Sequence, residues 1–335
     1  MIPRIKQTLH MAKWQTELAD AIKDPAELLE ILGLDKQLLP QAQKAAQLFP
    51  LRVPRGYVAR IQRNNPGDPL LRQVLPLAEE NLPVLGFSID PVGDLTAMTA
   101  PGVLHKYQGR VLLVSTGACG IHCRYCFRRH FPYSSANPAS AQWQSALEYI
   151  QNDSSIQEVI LSGGDPLTLS DSRLASLTSR LVEIPHVKRL RLHTRMPVVL
   201  PERIDDSFLK WITSIPFKVV MVIHANHANE FDDTVRGALS RLLANHVTLL
   251  NQSVLLKGVN DSSQVLANLS EVLFEQGITP YYLHLLDRVQ GAAHFEVQES
   301  RVMEIIHELR RQLPGYLVPR LVRERQGKPY KTSVG

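Results

Sequence analysis

Cysteine is almost absent from this chain of 335 residues: there are three, and none lies outside one short stretch. An odd count in so long a chain excludes a disulfide framework, the device of small secreted domains. Long apolar runs are missing too, since none approaches the ~20 residues of a membrane-spanning helix. The opening Met1-Ile2-Pro3-Arg4-Ile5-Lys6 has neither the apolar core nor the cleavage site of a signal peptide. Unpaired thiols without an export signal lead to the expectation of a cytoplasmic protein. Net charge is small, +5, and no basic helix concentrates it. Neither a nucleic acid nor a membrane is therefore expected as a partner. What remains is a chain with 44% hydrophobic residues and mixed charge, long enough to bury the core of a soluble α/β enzyme.

The three cysteines stand as Cys119-Gly120-Ile121-His122-Cys123-Arg124-Tyr125-Cys126, directly after the apolar run Val111-Leu112-Leu113-Val114. Thiols so close on a loop after a buried strand suit one metal centre. A cubane iron–sulfur cluster takes four ligands, so three thiolates leave one iron open to something else. The competing reading is a zinc-stabilised binding protein, with His122 or His130 completing a Cys3His set. Zinc modules usually pair C-x2-C with a second, distant pair, and the chain has no such pair.

Residues 1–100 lack regular strand–helix alternation and read as a helical lead-in. Trp14 to Ile22 is helical in pattern, as is Pro25 to Leu32, with Asp24 as N-cap and Gly33 as stop. A proline-rich turn at 65–69 precedes an expected short helix from Leu71 to Glu80. Residues 101–335 read as the main domain. Strands are expected at Val111–Ser115, Glu158–Ser162, Arg189–Thr194, Lys218–Ala225, Val247–Leu256 and Pro280–Asp287, with amphipathic helices between them. Continuous apolar strands joined by crossover helices mean a parallel sheet, as an open barrel or a doubly wound sheet. Either way the reactive groups belong at the carboxyl ends of the strands.

Those ends carry the polar residues. The first leads into the cysteine loop. The second leads into Ser162-Gly163-Gly164-Asp165-Pro166, where glycines allow backbone to approach a ligand. His193-Thr194-Arg195-Met196-Pro197 ends the third, and His224-Ala225-Asn226-His227-Ala228-Asn229-Glu230 the fourth. Asn251-Gln252-Ser253 places amides inside the fifth, where buried groups need partners that a ligand could supply. Asp287 ends the sixth and could bind an ammonium group, or simply pair with Arg288. Composition alone would make the tail around Lys328 and Lys331 a solvated terminus.

The C-x3-C-x2-C loop followed by the glycine turn resembles the radical S-adenosylmethionine enzymes. That resemblance implies a partial (β/α)6 TIM-type barrel, here with an N-terminal helical extension. It also implies a [4Fe–4S] cluster on Cys119, Cys123 and Cys126, with S-adenosylmethionine chelating the fourth iron and Ser162, Gly163, Gly164 and Asp165 beside it. A narrower resemblance runs from about Leu51 to Thr332. Arg195-Met196-Pro197-Val198-Val199-Leu200-Pro201, Asn251 to Leu256, Gly258-Val259-Asn260-Asp261, His294-Phe295 and Lys331-Thr332 are similar to the lysine 2,3-aminomutase family. It implies an isomerase that moves an amino group from C2 to C3, using pyridoxal 5′-phosphate as well. By motif, Lys331 matches the Schiff-base lysine, against the composition-based reading of the tail. Lys106, Tyr107 and Arg110 match the phosphate-holding residues, and Arg128 the arginine that pairs with the substrate carboxylate. Asp287 and Glu324 match the two acids that receive the ε-ammonium, with Glu324 standing where lysine enzymes typically have Asp. An external donor such as flavodoxin or ferredoxin is implied. The short form resembles the bacterial enzyme that supplies (R)-β-lysine for elongation factor P through a dedicated ligase. Catabolic isomerisation of free lysine is the alternative.

Overall fold

The structure, a computed structural model, describes residues 11–134 and 143–334. The N-terminal hexapeptide read for a signal lies outside them. Ten strands form one sheet in strict chain order: β1 Met98–Ala100, β2 Val103–Tyr107, β3 Arg110–Thr116, β4 Glu158–Gly163, β5 Arg189–Thr194, β6 Lys218–His224, β7 Thr248–Val254, β8 Thr279–His284, β9 Arg320–Arg323 and β10 Thr332–Ser333. From β3 to β9 every neighbouring pair is parallel. The flanking pairs β1–β2, β2–β3 and β9–β10 are antiparallel.

Among the described residues, five α-helices precede the sheet: α1 Lys13–Ala19, α2 Pro25–Leu32, α3 Leu39–Leu48, α4 Arg55–Val58 and α5 Pro69–Arg72. The crossovers are α6 Gln144–Asn152, α7 Asp171–Val182, the short α8 Met196–Val199 with α9 Asp206–Thr213, α10 Asp233–Ala244, α11 Ser263–Glu275 and α12 Glu299–Gln312. Each strand from β3 to β8 thus has its helix, giving six β/α units. No ladder joins β1 to β10, so the sheet stays open as a partial barrel. The expected fold class holds, and the six expected strands are β3 to β8 within a few residues at their ends. The apolar face of each crossover helix explains its docking: Leu174, Leu177 and Leu181 of α7 are fully buried, about 1.5–3 kcal/mol each. One hydrophobic cluster continues from Trp14, Leu28, Tyr57 and Leu71 to Val111, Leu161 and Phe208.

Three local expectations change. α1 stops at Ala19 because the backbone of Ile22 pairs with Val53 instead. The helix expected from Leu71 to Glu80 is one turn, α5, capped by Asp68, followed by a separate 3-10 turn at Ala78–Asn81. Pro76 accounts for the break, since it lacks an N–H and disfavours helix at the residue before it. The tail does not trail into solvent, because β10 pairs with β9 and carries Lys331 back to the barrel mouth.

Candidate functional site

The carboxyl ends of the parallel strands open on a cavity of about 790 Å³. Every residue given a site role by the family resemblance lines it, from Lys106 on β2 to Lys331 before β10, whereas Asn226, His227, Asn251 and Ser253 do not.

At one end lies the cysteine loop, with the glycine turn packed behind it. A Cβ on Gly163, whose φ is +112°, would lie 2.7 Å from the carbonyl oxygen of Thr116. One on Gly164 would lie 2.2 Å from that of Ala118. Backbone N–H groups of Gly164 and Asp165 donate to those same two carbonyls, both at 2.7 Å. The bare glycines therefore let the turn approach the cysteine loop itself, where the sequence suggested close approach to a ligand. The Asp165 carboxylate accepts from Leu167 N (3.0 Å), Thr194 Oγ1 (2.6 Å) and Arg195 N (2.7 Å), so its hydrogen bonds are made within the chain. Ser162 Oγ accepts a 3.3 Å contact from Arg128.

Burial, together with the neighbouring cysteines, pushes the Cys119 thiol well above its ordinary range and Cys126 to about 11. Thiols crowded in this way ionise together only around positive charge, which a cluster's iron supplies. Among the described residues no three of His, Cys, Asp and Glu converge on a single-ion site. His122 contacts the carbonyl of Pro50 at 2.9 Å, and His130 that of Gln290 at 3.1 Å. Each contact uses one ring nitrogen only and does not decide against zinc, but a cubane presents separate irons and does not need its thiolates at one point. The donor set fits the cluster.

The other end is a chain of alternating charges. Arg128 Nε donates to Asp94 at 2.6 Å, Lys106 contacts Asp94 at 2.5 Å and Glu324 at 2.9 Å, and Lys331 closes on the second oxygen of Glu324. Burial works against the charge on Glu324, but Lys331 and Lys106 outweigh it and hold its carboxyl well below the usual range. Asp287 behaves oppositely: burial and the neighbouring Glu324 push its carboxyl up to about 7, against the pull of Lys331. Arg288 pairs with Glu296 at 2.7 Å, so the Asp287–Arg288 pair considered from the sequence is not formed. Lys106, expected to hold a phosphate, is committed to two carboxylates. Arg110 stacks its guanidinium on the Tyr107 ring at 4.8 Å from the centroid and has no ion pair among the described residues. Among the described residues, His193 Nε2 and His284 Nε2 are buried without a hydrogen-bond partner in the cavity wall. A lysine, a free arginine and two unsatisfied imidazoles around one space fit a pyridoxal phosphate.

The buried amides of β7 serve the fold more than the cavity. Asn251 Oδ1 accepts from Ala225 N at 2.9 Å, and Ser253 Oγ donates to Ala225 O at 2.8 Å, tying β7 to the end of β6. Gln252 lines the cavity and meets His224 Nε2 at 2.7 Å. Asn226 and His227 brace the loop, His227 capping the turn at Ala228–Glu230. Sequence reasoning missed Asp94 and Glu80, buried acids that neutralise arginines of the site, and Gln73, a buried amide that accepts from Arg195; it named Glu230 only within the polar end of the fourth strand. Only a count of buried positive charge could have called for them.

A family model described as "4Fe-4S single cluster domain" matches residues 107–194. The L-lysine 2,3-aminomutase of Escherichia coli (strain K12) is 49% identical over 96% of this chain and 94% of its own length. That of Clostridium subterminale is 34% identical over 96% of this chain and 77% of its own length. Among solved structures, Streptococcus suis SuiB bound to S-adenosylmethionine superposes with a TM-score of 0.48 and 13% identity, over 65% of this chain and 51% of that one. Sequence identity of this order over nearly the whole chain settles descent: the chain belongs to the L-lysine 2,3-aminomutase family and is an isomerase.

Proposed function

We propose that the chain converts (S)-α-lysine to (R)-β-lysine in the cytoplasm, for attachment to elongation factor P by a dedicated ligase. One observation carries the isomerase chemistry: three thiols, Arg128 and Lys331 beside two acids all face one cavity. Cys119, Cys123 and Cys126 would hold the [4Fe–4S] cluster, with S-adenosylmethionine against the wall formed by Ser162, Gly163, Gly164 and Asp165. Lys331 would hold pyridoxal phosphate, with Arg110 and Tyr107 toward its phosphate. When bound, these groups supply hydrogen-atom abstraction and an electron sink for migration of nitrogen between adjacent carbons.

The chain's own residues bind and orient. Asp94 holds Nε of Arg128 and Ser162 takes a 3.3 Å contact from Nη1, which turns the guanidinium so that its terminal edge can meet a substrate α-carboxylate. Asp287 and Glu324 receive the ε-ammonium; an entering cation draws Asp287 into its charged form and completes the pairing. His193, kept neutral by burial and the nearby Arg191, and His224, lowered by burial to about 3, line the space without adding positive charge. The walls of the partial barrel limit the access of water to a radical. Electrons enter from an external donor such as flavodoxin or ferredoxin.

Glu324, in place of the Asp expected of lysine enzymes, supports the elongation-factor role over catabolism of free lysine. Two assays test the reading. Anaerobically reconstituted protein offered lysine, glutamate and arginine should form a β-isomer of lysine alone; a glutamate preference would contradict the roles of Asp287 and Glu324. With elongation factor P, its ligase and α-lysine, hydrolysis should release β-lysine from the factor only when this protein is present. Because the two isomers have equal mass, they must be separated by chromatography. Release of α-lysine alone, while free β-lysine accumulates, would favour the catabolic role.

A further inference from the structure

We propose that Arg195 is a positioning residue for the cluster, setting its reduction potential through a hydrogen bond to the Sγ of Cys123, with Glu230 opposing it. This rests on the assignment of Cys123 as a ligand, and it gives a role to the Arg195-Met196 motif that substrate binding leaves unexplained.

Three contacts fix the motif against the cysteine loop. Asp165, which closes the glycine turn, accepts the Arg195 backbone N–H at 2.7 Å and the Thr194 hydroxyl at 2.6 Å. Met196 packs on bare backbone: its sulfur lies 2.4 Å from where a Cβ on Gly120 would stand. Arg195 then reaches Cys123, with Nη1 2.8 Å from Sγ. Two consecutive side chains thus seat on two points of the same loop, on either side of Ile121 and His122.

The other terminal nitrogen of the guanidinium is engaged twice. Nη2 donates to Gln73 Oε1 at 2.6 Å and to Glu230 Oε2 at 2.9 Å. Glu230 Oε1 in turn accepts from the backbone N–H groups of Asn226 at 2.8 Å and His227 at 3.1 Å. Asn226 Nδ2 donates to the Tyr125 hydroxyl at 2.7 Å, which returns the network to the cysteine loop. Arg195 is 4% exposed and Glu230 0%. Arg195 Nε is buried without a partner among the described residues, but the charges of Arg195 and Glu230 are paired, and the network keeps one geometry because a charge stripped of its partner there is costly.

The electrostatics follow. As a cluster ligand Cys123 carries negative charge, and an N–H of a cation directed at it makes a charge-assisted bond. Hydrogen bonds to sulfur and net local charge are levers on cluster potential. Reduction adds an electron, so the cation stabilises the reduced cluster more than the oxidised one and raises the potential. Glu230 lies on the other side of the same guanidinium and lowers it. Among the described residues, Cys123 alone of the three cysteines takes a hydrogen bond from an arginine side chain. The effect is therefore lodged at one corner of the cluster.

The test is an anaerobic redox titration of the reconstituted full chain, followed by electron paramagnetic resonance, with iron and sulfide counted. Arg195→Met should move the midpoint to more negative potential. Glu230→Gln, which keeps an acceptor for the Asn226 and His227 amides, should move it to more positive potential. A purely structural role predicts lost iron without this opposition of sign. Unmoved midpoints, or shifts in the same direction at full iron content, would overturn the proposal. If Arg195→Met fails to hold iron, Glu230→Gln decides alone: an upward shift supports the proposal and an unmoved midpoint overturns it. Formation of β-lysine with unmoved midpoints sinks this inference only, whereas the expected shifts without β-lysine sink the isomerase reading only.

Discussion

The two ends of the cavity are built on opposite principles. At the cysteine end each buried charge has a permanent protein partner. Glu80 binds Arg124 Nε at 2.8 Å and Arg129 at 2.7 Å, Glu230 binds Arg195, and Asp165 takes three donors. At the lysine end the charges form a chain in which partners are shared. Glu324 holds both Lys106 and Lys331, Asp94 holds both Lys106 and Arg128, and Asp287 is left with a raised carboxyl. The first end rides on the central parallel strands β3 to β5, the second largely on the short outer strands β2, β9 and β10 and the tail. A buried, fully paired network keeps one geometry because breaking it exposes an uncompensated charge. Shared pairs facing a cavity exchange more readily, since an incoming carboxylate or ammonium can replace the partner it displaces. The difference separates holding a centre still from admitting a charged substrate.

The contrast can be broken from either side. Lys331→Ala should abolish turnover while iron and sulfide stay at the wild-type level. Loss of the cluster as well would mean that the ends are not independent. Glu80→Ala should instead cost about 3–5 kcal/mol of folding stability by stranding Arg124 and Arg129, read as a lower denaturation midpoint. Asp287→Asn should weaken lysine binding by about 2–5 kcal/mol, the cost of removing one member of a desolvated pair, read as a higher KM. The same variant sharpens a pH test. Because the Asp287 carboxyl is raised to about 7, it loses charge as pH falls through that value, and kcat/KM for lysine should fall with it. Glu324, held well below the usual range, stays charged over the same window. The acid limb should therefore vanish in Asp287→Asn; persistence would assign it to another group.

Legibility in the sequence followed the same division. The cysteine spacing, the six strands and the polar residues at their ends were readable because each is local or periodic. The partners of the buried arginines were not. Gln73 and Glu230 meet across 157 residues, and nothing near either one announces the other. Asp94 sits in a proline- and glycine-rich stretch that reads as a turn. β9 and β10, four and two residues long, are too short for a period to register. They nonetheless bring Glu324 and Lys331 to the mouth, a placement that only the resemblance led one to expect.

Glu324 gives the smallest expected effect and the finest test of the comparison. Its two oxygens divide the work, one 2.9 Å from Lys106 and the other on Lys331. Asp at this position has the same charge but is one methylene shorter, so it should reach one lysine well and the other poorly. At a rigid end, such a loss would strand a buried cation and cost several kcal/mol. Here Lys106 keeps Asp94 at 2.5 Å and the carbonyl of Val92 at 2.9 Å, so it would remain paired. Glu324→Asp should therefore leave the denaturation midpoint nearly unchanged and move KM for lysine only by about 1 kcal/mol, some five-fold. A fall in stability comparable to that of Glu80→Ala would show that the lysine end is as rigid as the cysteine end, and the distinction between them would fail.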